Sequence, residues 1–137
     1  MRSFPRICLV LLTLVCGCAA SPAEAASSVA GSWVMRQSIP GNSFAMTLVA
    51  NDTHLSGIGT FQGEAGPSGS LVVTGEVVGD QIALDFVLNT EIPFQSSREA
   101  HFVGHLVFGE LHGTFQYGDL SSQVAPSSVV FVRVRPL

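Results

Sequence analysis

Three histidines in the second half of the chain, His101, His105 and His112, have the chemistry to bind a metal ion. They fall in the stretch 101–117, HFVGHLVFGELHGTFQY. Imidazole is a common ligand of Zn and Cu. If this stretch folds as a hairpin, His105 and His112 are diagonal neighbours, about 7–8 Å apart. No carboxylate lies among them in that register, and His101 and His105 are roughly 13 Å apart along a strand. We therefore expect three polar residues on a solvated face and no metal site.

The motifs of common catalytic and nucleotide-binding sites are absent from the sequence. It contains no G-x-S-x-G, no H-E-x-x-H, no G-x-x-x-x-G-K-[ST] and no lysine. Its glycines recur instead in apolar-x-Gly units such as Leu55-Ser56-Gly57, a pattern typical of strands that bend within a sheet. The sequence predicts a protein that is not an enzyme, with no catalytic residues and no cofactor.

The elements that position these residues are predicted to be β-strands, because apolar and polar residues alternate with period two. In the stretch 101–117 we expect a two-residue turn at Gly109-Glu110, which places Phe108 opposite Leu111. The other predicted hairpins join 44–48 to 55–61, with a turn near Asn51-Asp52 and Leu48 facing Leu55, and 71–77 to 82–88, with a turn at Gly79-Asp80.

Eight strands follow from this pattern, beginning at about Gly31 and ending near Arg135. Because neighbours in sequence pair through short turns, we expect an all-β domain, an eight-stranded antiparallel up-and-down barrel. A two-sheet β-sandwich is the alternative. The segment 89–98 contains Pro93 and is predicted to be a long loop. Its apolar residues, Ile92 and Phe94, could contact a protein partner.

The first residues have the pattern of an export signal, with Arg2 and Arg6 before an apolar segment at 7–15. The sequence V-C-G-C at 15–18 resembles the bacterial lipobox, although Cys at its second position departs from the usual Ala or Ser. The resemblance implies that Cys18 is lipidated and becomes the mature N-terminus. Because the residue after Cys18 is not Asp, it also implies the outer membrane if the organism is Gram-negative.

A second processing site competes with the lipobox. Ala23-Glu24-Ala25 matches an A-x-A cleavage site, which would release a periplasmic or secreted protein. We divide the chain into a leader and tether, residues 1–26, and a β-barrel domain, residues 27–137. Residues 19–28 are expected to be a flexible tether, and no helix is expected after the leader. All three cysteines lie in the leader, so no disulfide is expected in the domain.

The charge balance argues against nucleic acid as a partner. The chain has six basic and ten acidic residues, a net charge of −4, and removal of the residues before Cys18 changes it to −6. Nucleic acids and anionic headgroups are bound by basic patches. We expect neither partner, and we expect membrane contact only through a lipid anchor at Cys18.

Gly31-Ser32-Trp33 at the start of the first strand resembles the G-x-W signature of the calycins, the lipocalin and avidin superfamily. The resemblance implies a small barrel in which a basic side chain of the last strand, Arg133 or Arg135, packs over Trp33. Avidins stack several Trp on biotin, whereas Trp33 is the only Trp of this chain. The resemblance therefore leads us to expect the calycin fold but not biotin binding.

The inward-facing residues of such a barrel could bind a small apolar ligand, because they are large and apolar. The predicted ligand-binding residues are Trp33, Phe86, Phe102, Phe115 and Tyr117. Tyr117 is the one with a polar tip, so it would orient the ligand. The sequence thus predicts a non-enzymatic exported protein of the cell envelope with a ligand-binding barrel. The alternatives are a fully packed core, and an envelope interaction or inhibitor protein that acts through its loops.

Overall fold

Eight antiparallel strands close into a single barrel in the computed structural model, in which each strand pairs with its neighbours in sequence and β1 pairs with β8. The structure describes residues 21–36, 42–63, 68–92, 97–118 and 125–135. The predicted up-and-down barrel is confirmed and the sandwich is excluded. One helix precedes the strands. The elements are α1 Pro22–Val29, β1 Gly31–Arg36, β2 Asn42–Asn51, β3 His54–Gly63, β4 Ser68–Val78, β5 Gln81–Ile92, β6 Ser97–Val107, β7 Glu110–Tyr117 and β8 Ser127–Arg133.

The two ends of the barrel differ in how the strands are connected. At the helix end, three pairs of strands are joined by two-residue turns, at 52–53, 79–80 and 108–109, and α1 leads into β1. At the loop end, the connections 37–41, 64–67, 93–96 and 118–126 are longer. The dipeptide Pro40-Gly41, a turn signal in the sequence, lies outside the described residues. Among the described residues, no helix has the length and apolarity needed to cross a bilayer.

The predicted β4–β5 hairpin is confirmed in its register, with Gly75 opposite Leu84 and Val73 opposite Phe86. The other two hairpins differ from the prediction by a shift of two residues. Leu48 faces Gly57 and not Leu55. Leu111 faces Leu106 and not Phe108. A shift of two keeps every side chain on its predicted face, so the alternation of apolar and polar residues could not detect it.

The packing of Phe102 explains the observed β6–β7 register. Gly104 lies opposite Gly113, and a Cβ atom at either position would fall 2.6 and 2.8 Å from ring atoms of Phe102. The ring therefore covers the surface that the two glycines leave bare. This pairing moves the turn to Phe108-Gly109, where both residues have positive φ, 50° and 79°. A type I′ turn requires this geometry.

The flexible tether predicted for residues 19–28 is wrong for its described part. Residues 22–29 form helix α1, with Ala26 and Val29 buried in the barrel core. A capping box fixes its start: the Ser21 hydroxyl accepts from the Glu24 amide, and the Ser21 amide donates to the Glu24 carboxylate. The predicted boundary between tether and barrel at residue 27 therefore falls inside this helix.

The long loop predicted for residues 89–98 is also shorter in the structure. Strand β5 continues to Ile92 through an irregularity in register after Val87, and β6 begins at Ser97. Such an irregularity lets a strand bend and continue. The side chain of Ile92, together with Pro93 and Phe94, lies outside the described residues, so the partner patch stays a prediction.

Candidate functional site

The helix end of the barrel is closed by contacts around Trp33. Its indole N–H donates to the Val29 carbonyl at the end of α1, 2.8 Å away. The guanidinium of Arg133 lies 4.3 Å from the centre of the Trp33 ring and donates to the carbonyls of Ala30 and Ser28, at 2.7 and 2.6 Å. Arg133, and not Arg135, is thus the basic residue over the tryptophan. Trp33 is fully buried, and its contacts join α1, β1 and β8.

Aromatic rings fill the half of the barrel nearer the loop end. Phe44 is central to them, with ring centroids 5.0 to 6.2 Å from those of Phe61, Phe86, Phe115 and Tyr117. These separations are typical of direct aromatic contact. The rings therefore pack on one another across the barrel, with no space for a ligand between them.

The deeper predicted ligand-binding residues belong to the same packed interior. Phe86, Phe102 and Phe115 are 0–1% exposed, and Phe131 packs against Phe86 and Phe102 at 6.5 and 5.5 Å. These three side chains are therefore almost completely enclosed by protein atoms. Their predicted role in ligand binding stays a prediction that requires some of the rings to move.

The layer of the barrel beneath the loop end has a different character from the deeper core. Phe61 and Tyr117 lie here and have slightly more exposure, 5% and 6%. The register with β6 is irregular after Val87, but Asn89 is exposed while Leu88 is buried and Thr90 is partly buried, so Thr90 lies on the same side as Leu88. Its hydroxyl oxygen is buried and has no hydrogen-bond partner among the described residues. A buried hydroxyl without a partner is costly, so Thr90 is the position where a polar atom of a ligand would be stabilised. The sequence analysis missed it because threonine is common in strands.

The histidines lie on the outer face, as predicted, but their surroundings differ from the prediction. His105 and His112 are directly opposite on β6 and β7, not diagonal. Carboxylates are close: Asp85 Oδ1 lies 2.6 Å from His101 Nδ1, and Glu110 Oε2 lies 3.0 Å from His112 Nε2. The first pairing depends on the β5–β6 register, which brings Asp85 opposite His101, whereas Glu110 and His112 lie two residues apart on β7. Among the described residues, no group of three or more potential ligands is arranged to hold a metal ion.

Glu110 forms the best-connected of these outer pairs. Arg36 Nη2 donates to Glu110 Oε1 at 2.6 Å, and the other carboxylate oxygen contacts His112. The hydrogen bond with His112 is the largest cause of a lowered pKa of Glu110; Arg36 lowers it further, against the opposing effect of partial desolvation. The network joins β1 to β7 at the barrel surface, and we assign it no part in ligand binding.

Comparison with known proteins leaves the family of this chain undetermined. No protein-family model matches the sequence, and no curated protein gives a match. Among solved structures, one described as "REP1-NXSQ fatty acid transporter" is similar to the barrel, with a TM-score of 0.46 and 10% sequence identity. The alignment covers 82% of this chain and 100% of that one. A likeness of this degree carries no inference about ligand or mechanism.

Proposed function

We propose that this protein is a non-enzymatic binding protein of the cell envelope, and that a small apolar ligand binds beneath the loop end of the barrel. The observation that carries the proposal is the difference between the two ends. Helix α1, Trp33 and Arg133 close the helix end with three hydrogen bonds and a cation–π contact. The loop end has the longer connections, and the buried Thr90 hydroxyl lies on its inward face.

The composition of the interior suits an apolar ligand. The described buried residues are all hydrophobic, and apolar pockets usually contain a few polar groups that orient the ligand. Phe44, Phe61 and Tyr117 form the layer that the ligand meets first, and Phe86 and Phe115 lie directly beneath it. Because the rings are packed, binding requires Phe61 or Tyr117 to rotate. The Thr90 hydroxyl favours a ligand with one hydrogen-bonding group on an apolar body.

Native mass spectrometry of the processed protein, purified gently after export, tests this proposal. We expect an additional mass that is lost on denaturation. Thr90→Val keeps the shape of the side chain and removes the hydroxyl, so it should lower ligand occupancy without loss of stability. Thr60→Val, at an exposed position of β3, is the matched control and should leave occupancy unchanged.

A host that lacks the compound also yields protein without ligand, so an added probe is needed as well. The fluorescent apolar dye 1-anilinonaphthalene-8-sulfonate should bind the native protein, and Phe61→Trp, which fills the layer beneath the loop end, should weaken that binding. A bare polypeptide mass together with no dye binding would contradict the proposal. It would favour the alternative, an interaction protein that acts through its loops.

We also propose that the chain is exported and anchored through a lipid on Cys18, and is not cleaved after Ala25. Cleavage after Ala25 would divide helix α1 and remove Ser21 and Glu24, which cap it. The remaining four helical residues would have to keep Ala26 and Val29 in the core without the cap. Processing at Cys18 leaves the helix whole.

The mass of the mature protein's N-terminal peptide distinguishes these processing sites. A diacylglycerol-modified peptide that begins at Cys18 is expected, and Cys18→Ser should abolish the modification. A mature chain that begins at Ala26 would contradict the proposed anchor.

A further inference from the structure

The most unusual exposed residue in the described structure is Phe108, at the tip of the β6–β7 turn. Its side chain is fully exposed, and its φ of 50° lies in the left-handed region. Asn, Asp and Gly are favoured at this position of a type I′ turn, and a bulky residue with positive φ is an outlier. Neither the turn nor the core explains the aromatic ring, which indicates that it has a contact outside the barrel.

Other exposed apolar side chains lie at the same end of the barrel. Val78 is 62% exposed where β4 ends, and Val134 is 44% exposed directly after β8. Both strands run toward the helix end, as β6 does, because the strands alternate in direction and α1 leads into β1. Phe108, Val78 and Val134 therefore lie around the rim that α1 closes, and we call these three residues the apolar rim.

The start of α1 limits how far this end can lie from a membrane. Ser21 caps the helix, and α1 packs against β2 and β4 at the helix end of the barrel. Cys18 precedes Ser21 by three residues, which span at most about 10 Å when fully extended. If Cys18 carries a lipid, as proposed above, Ser21 must lie within that distance of the bilayer surface, which favours an orientation with the helix end toward the membrane.

We propose that the apolar rim is a membrane-docking surface that inserts Phe108 into the interfacial region of the bilayer carrying the lipid anchor. The proposal rests on the proposed anchor at Cys18. One lipid-linked anchor and a few apolar side chains act together, since stable attachment usually needs more than one signal. Charges of both signs lie near this surface, with Asp52 and Asp80 exposed in the neighbouring turns and Arg133 and Arg135 exposed beside Val134. The surface therefore has no net basic character and suits neutral phospholipid. Docking would hold the loop end, with the proposed ligand site, directed away from the membrane.

Fluorescence quenching in vesicles tests the docking surface. The full-length gene is expressed in a bacterium, and the processed protein is reconstituted in phosphatidylcholine vesicles with brominated acyl chains. The wild-type protein has one Trp, the buried Trp33, and supplies the baseline. The additional fluorescence of Phe108→Trp should be quenched strongly. The additional fluorescence of the matched control Gln62→Trp, at an exposed position near the loop end, should not be quenched.

A second variant separates docking from folding. Phe108→Asn replaces the ring by a residue that the turn favours, so it should fold at least as stably as the wild type. Val78→Trp supplies a second fluorescent probe on the apolar rim. Its quenching in the double variant Val78→Trp/Phe108→Asn should be several-fold lower than in Val78→Trp alone. Addition of anionic lipid to the vesicles should not increase the quenching.

The outcomes distinguish this proposal from the proposed anchor. If the protein is lipidated but the fluorescence of Phe108→Trp is quenched no more than that of Gln62→Trp, the proposed docking surface is wrong and the proposed anchor stands. Protein without lipid on Cys18 overturns both, because the limit on distance from the bilayer disappears. Quenching that requires anionic lipid overturns the assignment to neutral phospholipid.

Discussion

Arg133 connects the last strand to the helix that precedes the first, and its replacement should weaken the closure of the barrel. In Arg133→Met the aliphatic part of the side chain remains, while the guanidinium is lost. Two hydrogen bonds, to Ala30 and Ser28, and the contact with Trp33 are removed. Helix α1 then keeps its buried Ala26 and Val29 but loses the donors at its C-terminal carbonyls.

The size of the effect follows from these three contacts. A hydrogen bond contributes about 1 kcal/mol net, and an exposed cation–π contact contributes about 0.5–1 kcal/mol. Because Arg133 is exposed, water replaces part of what is lost, and we expect a decrease of about 2 kcal/mol in the free energy of unfolding. With a typical slope for a small protein, this lowers the urea midpoint by about 1 M.

Equilibrium unfolding in urea is the assay, with two probes recorded together. Trp33 is the only tryptophan, so its fluorescence reports on the helix end, and far-ultraviolet circular dichroism reports on the strands. Coincident transitions are required for a two-state interpretation. Arg133→Lys should recover only part of the loss, because an ammonium group cannot reproduce the planar fork of donors.

Arg135→Met provides the matched control, since Arg135 lies two residues further along and is exposed. It should change the unfolding free energy by less than about 0.5 kcal/mol. If Arg133→Met costs no more than Arg135→Met, the contacts at the helix end do not hold the barrel closed. The explanation of why helix α1 belongs to the folded unit would then be refuted.

Three further predictions concern single substitutions. Gly31→Ala should destabilise the barrel by about 1–3 kcal/mol, because Gly31 has a φ of 134° and an added Cβ would collide with the Arg133 side chain; thermal unfolding measures this. Ser21→Ala should cost about 1 kcal/mol in urea unfolding, since it removes the acceptor for the Glu24 amide; no loss would show that the capping box is dispensable. Because the pKa of Glu110 is lowered in the folded protein, its ionised carboxylate stabilises the fold at pH values above its ordinary pKa of 4.5. This contribution disappears as the pH falls through the lowered pKa. Glu110→Gln should therefore be less stable than the wild type at pH 7 and equal to it at the acid end of a series of unfolding curves; a constant difference would contradict the assignment.

The alternation of residue types predicted the eight-stranded barrel and which face each strand buries, but it could not fix every strand register. The β4–β5 hairpin was predicted correctly because Gly79-Asp80 is a strong turn signal between two uninterrupted apolar alternations. In the β6–β7 hairpin, Gly109-Glu110 and Phe108-Gly109 both place a glycine in the turn. The two registers bury the same strand side chains and differ at Phe108, which the observed turn leaves exposed. The choice between them depends on the Phe102 ring lying across Gly104 and Gly113, a contact that no local pattern contains.

Helix α1 was missed for a different reason, because its small residues fit both a signal cleavage region and a helix that packs against a barrel. A segment of Ala and Ser with a single Glu, PAEAASSV, has the small residues of a signal cleavage region, and it is too short and too weakly apolar to be recognised as an amphipathic helix. Small side chains are also what a helix needs to lie close against the mouth of a barrel, where Ala26 is fully buried. This helix is stabilised chiefly by Trp33, Arg133 and the core beneath it, with a smaller contribution from its own capping box. The same closure blocks the helix end as an entrance to the interior, which is why the proposed ligand site is placed beneath the loop end.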